Sequence, residues 1–417
     1  MTALRRALLR GGLSLLLSMF AGSVAILPVA ADSAPATASN WAELVVQVTP
    51  GKGYTIADVT SRFALKTQRT LVRSSAIYLL RTTTAGDAAD VDALIDRLMV
   101  SGLVSNAAPE PKAGYNATRF HSWQKGRPVT VGTDSGAYLT QPIAADLSAS
   151  HAISRGSGVT VAVLDTGVAD HPALTGRLVA GYDYVEDDNK PTEQLQRVDT
   201  SGDGRLDSSY GHGTFVSGLV GLIAPNAQIM PMRVLDSDGV GNVVVIAQAI
   251  RDAVRQGAGV VNLSFGTESN RTSPVLDRAL RDAKAAGAMV IVSAGNGASS
   301  LTLYPGDSTD VLSVTSFNPK TRAIDGYASY GVWVDVAACG TDVIGPVPGR
   351  AYASWSGTSM AAPLVSGQAA LVRSRAPGLS LIGQVDALTK TATSIGPKTV
   401  QYGTVDVLSS LQYASKA

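Results

Sequence analysis

A single cysteine, Cys339, in 417 residues leaves no partner for an intramolecular disulfide. A fold exported to an oxidising compartment must then rest on its core, with at most a bound ion to help. An excess of charge is missing too, since the formal net charge is +1. Nucleic-acid or polyanion binding shows as a basic surplus, so no nucleic-acid partner is expected. Charged residues make up only 16% of the chain against 45% apolar, which excludes a disordered polymer. Histidine is scarce: His121, His151, His171 and His212 are the only candidates for an imidazole base. No sequence repeat is present. After the first 31 residues no stretch is apolar for long enough to span a membrane.

What is present begins with a leader. Arg5, Arg6 and Arg10 precede the apolar run LSLLLSMFAGSVAIL, and Val29-Ala30-Ala31 offers small residues to a signal peptidase. This predicts a signal peptide over 1–31, cut after Ala31, and a secreted protein, extracellular or periplasmic, with no membrane attachment after the cut. An uncleaved anchor is the alternative. Residues 42–110 read as a compact α+β unit. AELVVQV and RTLVRSSAIYLLRT predict strands, TIADVTSRFAL a short helix, and DVDALIDRLMVSGLV an amphipathic helix with Val91, Leu94, Ile95 and Leu98 on one side. Residues 111–145 have no clear period and read as a linker arm.

From 146 to 417 strands and helices alternate. Strands are predicted at 159–165, 227–235, 259–265, 288–294, 311–317 and 332–338, with helices after 243, near 274–286 and from the GTSMAAP stretch onward. That order implies a mostly parallel sheet with helices on both faces, an α/β fold. Such sheets gather functional groups at the carboxyl ends of their strands.

Ser359 stands in GTSMAAP among small residues that leave room around its hydroxyl. A serine hydroxyl is a weak nucleophile and needs a base, usually a histidine held by a carboxylate. His121 and His151 lie in the arm and at the domain edge, and His171 precedes Pro172, where a structural hydrogen bond is expected. His212 differs, because glycines flank it and the apolar helix FVSGLVGLI follows. Asp165 directly follows the apolar VAVL, and a buried carboxylate is costly unless paired. Asn296 follows the apolar strand in SAGNG and can donate to an oxygen that gains charge. Taken singly, each has a plain structural reading: a helix-start histidine, a turn-capping aspartate, a turn asparagine.

Together, in the order Asp165, His212, Asn296, Ser359, they sit in VAVLDTGV, GHGTFVSGLV, SAGNG and GTSMAAPLVSGQAAL, with VNLSFG and YGTVDVLSSL between and after. The chain resembles the subtilisin-like serine proteases (subtilases). The resemblance implies a serine endopeptidase acting on polypeptide substrates, with Ser359 as nucleophile, His212 as base and acid, Asp165 as its orienting carboxylate and Asn296 as oxyanion donor. No cofactor is required for such chemistry. It implies a substrate groove walled by Gly239, Val240 and Gly241 on one side and Ser264, Phe265 and Gly266 on the other. It also implies that 42–110 is a ferredoxin-like propeptide, a partner in cis whose last segment, near 103–115, lies in the groove. The stretch DTSGDGRLD places Asp199, Ser201 and Asp203 at alternate positions, with Gly204 for the sharp turn and Asp207 beyond it, as in a calcium loop, although Tyr210 stands where the closing acid belongs. A structural calcium and a solvated acidic loop are the two readings. A catalytically silent relative used for binding is the competing class.

Overall fold

The computed structural model describes residues 42–83, 88–109, 119–122, 124–145, 147–267, 272–396 and 399–416, so the predicted signal peptide lies outside the described residues. The N-terminal unit runs β1 (Glu43–Val48), α1 (Ile56–Phe63), β2 (Leu65–Val72), β3 (Ile77–Thr82), α2 (Ala88–Val100) and β4 (Val104–Pro109). Thr55 and Asp58 cap α1 reciprocally, and Ala64 in the left-handed region ends it. The strands form an antiparallel sheet in the order β2-β3-β1-β4. Its two faces follow the period of two. Leu44, Val46 and Leu80 pack on Val91, Leu94 and Leu98 of α2. Val45, Val72, Ile77 and Ala108 belong to the opposite core.

The arm is more ordered than its sequence suggests. It carries β5 (Arg119–Ser122), β6 (Lys125–Gly132) and the short helices α3 (Gly136–Thr140), α4 (Pro142–Ala145) and α5 (Leu147–Ile153). Its strands have no core of their own, because their hydrogen-bond partners are edges of distant elements. Periodicity therefore could not reveal them.

The large domain continues with β7 (Thr160–Asp165), β8 (Tyr182–Asp183), α6 (His212–Ile223), β9 (Gln228–Arg233), β10 (Val240–Asn242), α7 (Val243–Arg255), β11 (Val260–Leu263), β12 (Phe265–Gly266) and α8 (Pro274–Ala285). It closes with β13 (Met289–Ser293), β14 (Leu312–Asn318), β15 (Ala323–Ile324), β16 (Val336–Cys339), β17 (Val343–Val347), β18 (Ala351–Ser356), α9 (Thr358–Arg375), α10 (Leu381–Thr389), β19 (Gly403–Thr404) and α11 (Val407–Ala414). The main sheet has the order β19-β16-β14-β13-β11-β7-β9-β8, all parallel, with β15 antiparallel on β14. Along β7, Val161 and Val163 join the core under α6 and α9, while Ala162 and Leu164 join the core under α7 and α8. Both faces are covered, as a parallel sheet requires. The strand expected over 332–338 shortens to Val336–Cys339, since Val332 is 66% exposed and has no core to join. Among the described residues no helix is long and apolar enough to cross a membrane.

The N-terminal sheet docks on α7. Val45 and Ile77 share a core with Val244 and Ala247, and Gln47 Nε2 donates to Gln248 Oε1 at 2.8 Å across the contact. Asn106 donates to the same Gln47, so the buried amides at this junction satisfy one another.

Candidate active site

Asp165 is the last residue of β7, a central strand, and four buried apolar residues carry it into the interior, where it is 1% exposed. Its Oδ1 accepts two hydrogen bonds at 2.8 Å, from Thr166 N and from His212 Nδ1. An ionised carboxylate only accepts, so Nδ1 carries the proton and Nε2 the lone pair. His212 opens α6 and is fully buried. The glycines beside it have separate jobs. Gly211 has φ +92°, which favours glycine. A Cβ on Gly213 would lie 2.2 Å from Gly167 O and 3.1 Å from Asp165 Cβ. Any side chain there would push the helix off the strand end and separate the histidine from its carboxylate.

Asn296 follows β13. Its Oδ1 accepts from Thr358 N and Thr358 Oγ1, both at 3.0 Å, while Thr358 Oγ1 accepts from Gly295 N at 3.1 Å. The amide oxygen is thereby committed and Nδ2 is the outward donor. Among the described residues, His212 Nε2 and Asn296 Nδ2 are buried without a hydrogen-bond partner. An unpaired buried polar atom costs about 1–3 kcal/mol. Unpaired in this way, Nε2 is left to accept a proton and Nδ2 to donate to an acceptor. Asn296→Ala is expected to lower kcat by about 10²–10³ with little change in KM, the size known for the corresponding donor of subtilisin. Steady-state kinetics on a peptide substrate checks this, and a KM-dominated effect would assign Asn296 to substrate binding.

Ser359 is the second residue of α9 and fully buried. Its Oγ donates to Ser264 O at 2.8 Å, and Ser264 Oγ donates back to Ser359 O at 3.0 Å. The hydroxyl therefore faces the junction of β11 and β12 rather than the imidazole. Of the contacts expected at His212, the one to the carboxylate is made and the one to the hydroxyl is not. A buried hydroxyl takes an available acceptor, and a turn about one Cα–Cβ bond redirects it.

The two predicted walls hold a strand between them. β5 pairs antiparallel with β10, Val240 opposite His121 and Gly241 opposite Phe120, and antiparallel with β12, Phe265 opposite Ser122 and Gly266 opposite His121. Ser122 N donates to Gly239 O at 3.2 Å. Phe120 is 1% exposed, edge-on to Phe265 at 5.9 Å and near Tyr304 at 6.4 Å. Phe265, itself fully buried, is the wall of this aromatic pocket. Beyond the groove, β6 continues antiparallel along β18 with Lys125 opposite Ser356, three residues before Ser359. The occupant differs from the segment expected near 103–115. Val104–Pro109 is spent as β4 pairing with β1, so only chain further on is free to enter the groove, and residues 110–115 lie outside the described residues.

The calcium reading needs correction. Asp199 Oδ1 accepts from Gly202 N and Asp203 N, and its Oδ2 from Gly204 N. Asp203 Oδ1 takes Arg205 N, and Asp207 Oδ1 takes Gln196 N and Arg197 N. Asp199 and Asp203 close their own turns, Asp207 ties down the distant Gln196, Arg197 and Ser237, and among the described residues no three acidic, histidine or cysteine side chains converge as a metal site. The alternate spacing reflects turn chemistry. Cys339 is partly buried and burial pushes its thiol up to about 11, which leaves it inert.

Sequence reasoning missed Thr166, Thr358 and Glu193. The threonines adjoin motif residues, and their neighbourhood was the available signal. Glu193 lies in a polar loop, KPTEQ, with no signal at all.

A parallel sheet covered on both faces, with this carboxylate–imidazole pair at its carboxyl edge, defines a class. Residues 156–406 match the Subtilase family (Peptidase_S8), and the chain belongs to it, the subtilisin-like serine proteases. It is 37% identical over 260 residues to the thermophilic serine proteinase of Bacillus sp. (strain AK1), a match covering 62% of each chain. With subtilisin BL of Lederbergia lenta it shares 36% identity over 250 residues, 58% of this chain and 86% of that one. Fervidolysin from Fervidobacterium pennivorans, a keratinolytic enzyme related to subtilisin, has the same fold, with a TM-score of 0.65 at 22% identity over 89% of this chain and 61% of its own. The chain thus spans less than two thirds of the Bacillus and Fervidobacterium proteins it matches.

Proposed function

We propose that this protein is a secreted serine endopeptidase, made as a precursor, that hydrolyses peptide bonds through an acyl-enzyme on Ser359. The observation that carries the reading is the buried 2.8 Å bond between His212 Nδ1, at the start of α6, and Asp165, at the end of β7. With Nδ1 so engaged, Nε2 takes the Ser359 proton once the hydroxyl turns toward it, and later gives it to the leaving amine. Asn296 Nδ2 and the Ser359 N–H, an unpaired donor at a helix start, receive the oxyanion. Water then repeats the sequence on the ester. Substrate lies as an added antiparallel strand between Gly239–Gly241 and Ser264–Gly266. The test is a fluorophosphonate probe. The expected result is labelling of wild type and none of Ser359→Ala. A wild type that stays unlabelled, with its groove strand removed, identifies a binding protein on a protease fold.

The precursor reading rests on β5. A strand of the same chain, held by both groove walls and led in by a docked N-terminal unit, is the geometry of a cis inhibitor. Self-cleavage is expected between Ser122 and Gln124, and intact mass with N-terminal sequencing of the purified protein locates it. Phe120 buries a full aromatic side chain, about 1.5–3 kcal/mol. Phe120→Ala is expected to weaken inhibition by the cut N-terminal fragment by roughly 10- to 100-fold. Progress curves of the nicked enzyme measure this, and an unchanged inhibition constant would remove Phe120 from the contact.

A further inference from the structure

We propose that Glu193 is a positioning residue whose carboxylate clamps the loop after Asp165 to the first turn of the helix that carries His212, and so sets their hydrogen bond. The role in catalysis rests on the proteolytic reading above. The loop that bears Glu193 is itself pressed against the strand end. Val168 N donates to Pro191 O at 2.9 Å, and a Cβ on Gly167 would meet Thr192 C at 2.8 Å and Glu193 N at 3.0 Å. From there the carboxylate reaches both catalytic elements. Its Oε1 accepts from Thr166 Oγ1 at 3.0 Å and from Thr214 N and Thr214 Oγ1, each at 3.2 Å. Its Oε2 accepts from Gly211 N at 3.0 Å. Thr166 follows Asp165, and Gly211 and Thr214 bracket His212. Thr166 Oγ1 also accepts from Gly213 N at 2.9 Å, and Thr214 Oγ1 from Ala169 N at 2.9 Å, which closes the lattice.

Helix α6 explains why a distant carboxylate is needed. Its N-cap is Gly211, which has no side chain to bond the first free N–H groups. Glu193 supplies that cap from another segment, and its charge suits the positive end of the helix. One anion thus both ends the helix and ties it to the strand. An error of about 1 Å in catalytic placement costs up to about 10² in rate.

The clamp responds to pH. Burial, with the Asp165 charge adding to it, pushes the Glu193 carboxyl up to about 7, against the opposing pull of the Gly211 N–H. Asp165 acts on it from β7, and Tyr210 from the turn before α6, where burial and then Glu193 raise the phenol. All four bonds to Glu193 are donated to it, so the ionised form matches them and the protonated acid presents a hydrogen toward a donor. Below about pH 7 the clamp loosens. As pH rises, full activity then requires a proton to leave Glu193.

The test is Glu193→Gln in the processed enzyme, with active sites titrated. The expected result is a kcat lower by about 10- to 100-fold with KM within about threefold. The acid limb of kcat should become less steep once the Glu193 carboxyl is gone. The far-downfield proton resonance of His212 Nδ1–H should broaden or move. Thr214→Val, which removes one of the donors, should shift the same readouts less and serves if the glutamine variant does not fold. A folded variant with wild-type kcat per titrated site, unchanged slope and unchanged resonance overturns the proposal. So does a loss that follows melting temperature alone. If wild type hydrolyses no peptide, the proteolytic reading fails by itself, and the resonance still decides whether Glu193 sets the Asp165–His212 bond.

Discussion

Ser359→Ala is expected to lower kcat/KM for peptide hydrolysis by on the order of 10⁶, the size known for the nucleophile of subtilisin. The change removes one oxygen from a fully buried site inside a helix, where alanine is the best helix former. Backbone disruption is therefore not expected. The visible structural consequence is that Ser264 O loses its 2.8 Å donor. An unpaired buried acceptor costs about 1–3 kcal/mol, a shift in Tm of a few degrees in a chain of this size. Folding and chemistry thus separate in one variant. The oxyanion donors Asn296 Nδ2 and the residue-359 N–H remain, so a residue of about 10³–10⁴ over water should persist. Initial rates against a peptide anilide and a thermal melt decide the matter. Activity above about 1% of wild type would mean that another group attacks.

Asp165→Asn has the next largest expected effect, a loss in kcat of about 10⁴. Asp165 Oδ1 accepts from both Thr166 N and His212 Nδ1, so it dictates which imidazole nitrogen carries the proton. An asparagine oxygen at the Oδ1 position keeps the bonds from both Thr166 N and His212 Nδ1, with its NH₂ at the Oδ2 position, a buried atom without a hydrogen-bond partner. What is lost is the negative charge that stabilises the imidazolium formed when Ser359 gives up its proton. The side chain stays nearly isosteric, so Tm should move far less than activity. A second consequence reaches Glu193. The Asp165 charge is one cause of its raised carboxyl, second among the raising causes to burial. Its removal should let Glu193 ionise at lower pH, which carbon-13 labelling of the glutamate carboxyls would show. A variant that retains more than about a tenth of wild-type kcat would break the link between carboxylate charge and imidazolium.

The legible part of this site was carried by local context. Asp165 after VAVL, Asn296 after AMVIVSA and His212 ahead of FVSGLVGLI each mark the point where a buried segment ends beside glycine. In a parallel α/β fold such points converge at one sheet edge, and the resemblance to subtilase motifs singled these residues out among them. The groove walls were legible through that resemblance alone. What fills them was not, because β5 has a backbone partner on each side and no pattern of its own. The acidic loop was legible only as two readings, since carboxylates that serve a metal and carboxylates that tie down loop backbone share a spacing.

By itself the sequence determined the alternating α/β order, the two-faced central strands and the lack of a disulfide partner for Cys339, while resemblance to short family motifs picked out Asp165, His212, Asn296 and Ser359. These depend on burial periodicity and on residue chemistry, both of which are local. Only the tertiary structure decided that residues 119–122 lie in the groove, that the Ser359 hydroxyl points to Ser264, and that Glu193, outside both motifs in sequence, bonds to residues of each. Those outcomes turn on which unpaired donor or acceptor meets which partner once the chain has collapsed, and such pairings leave no period along the chain.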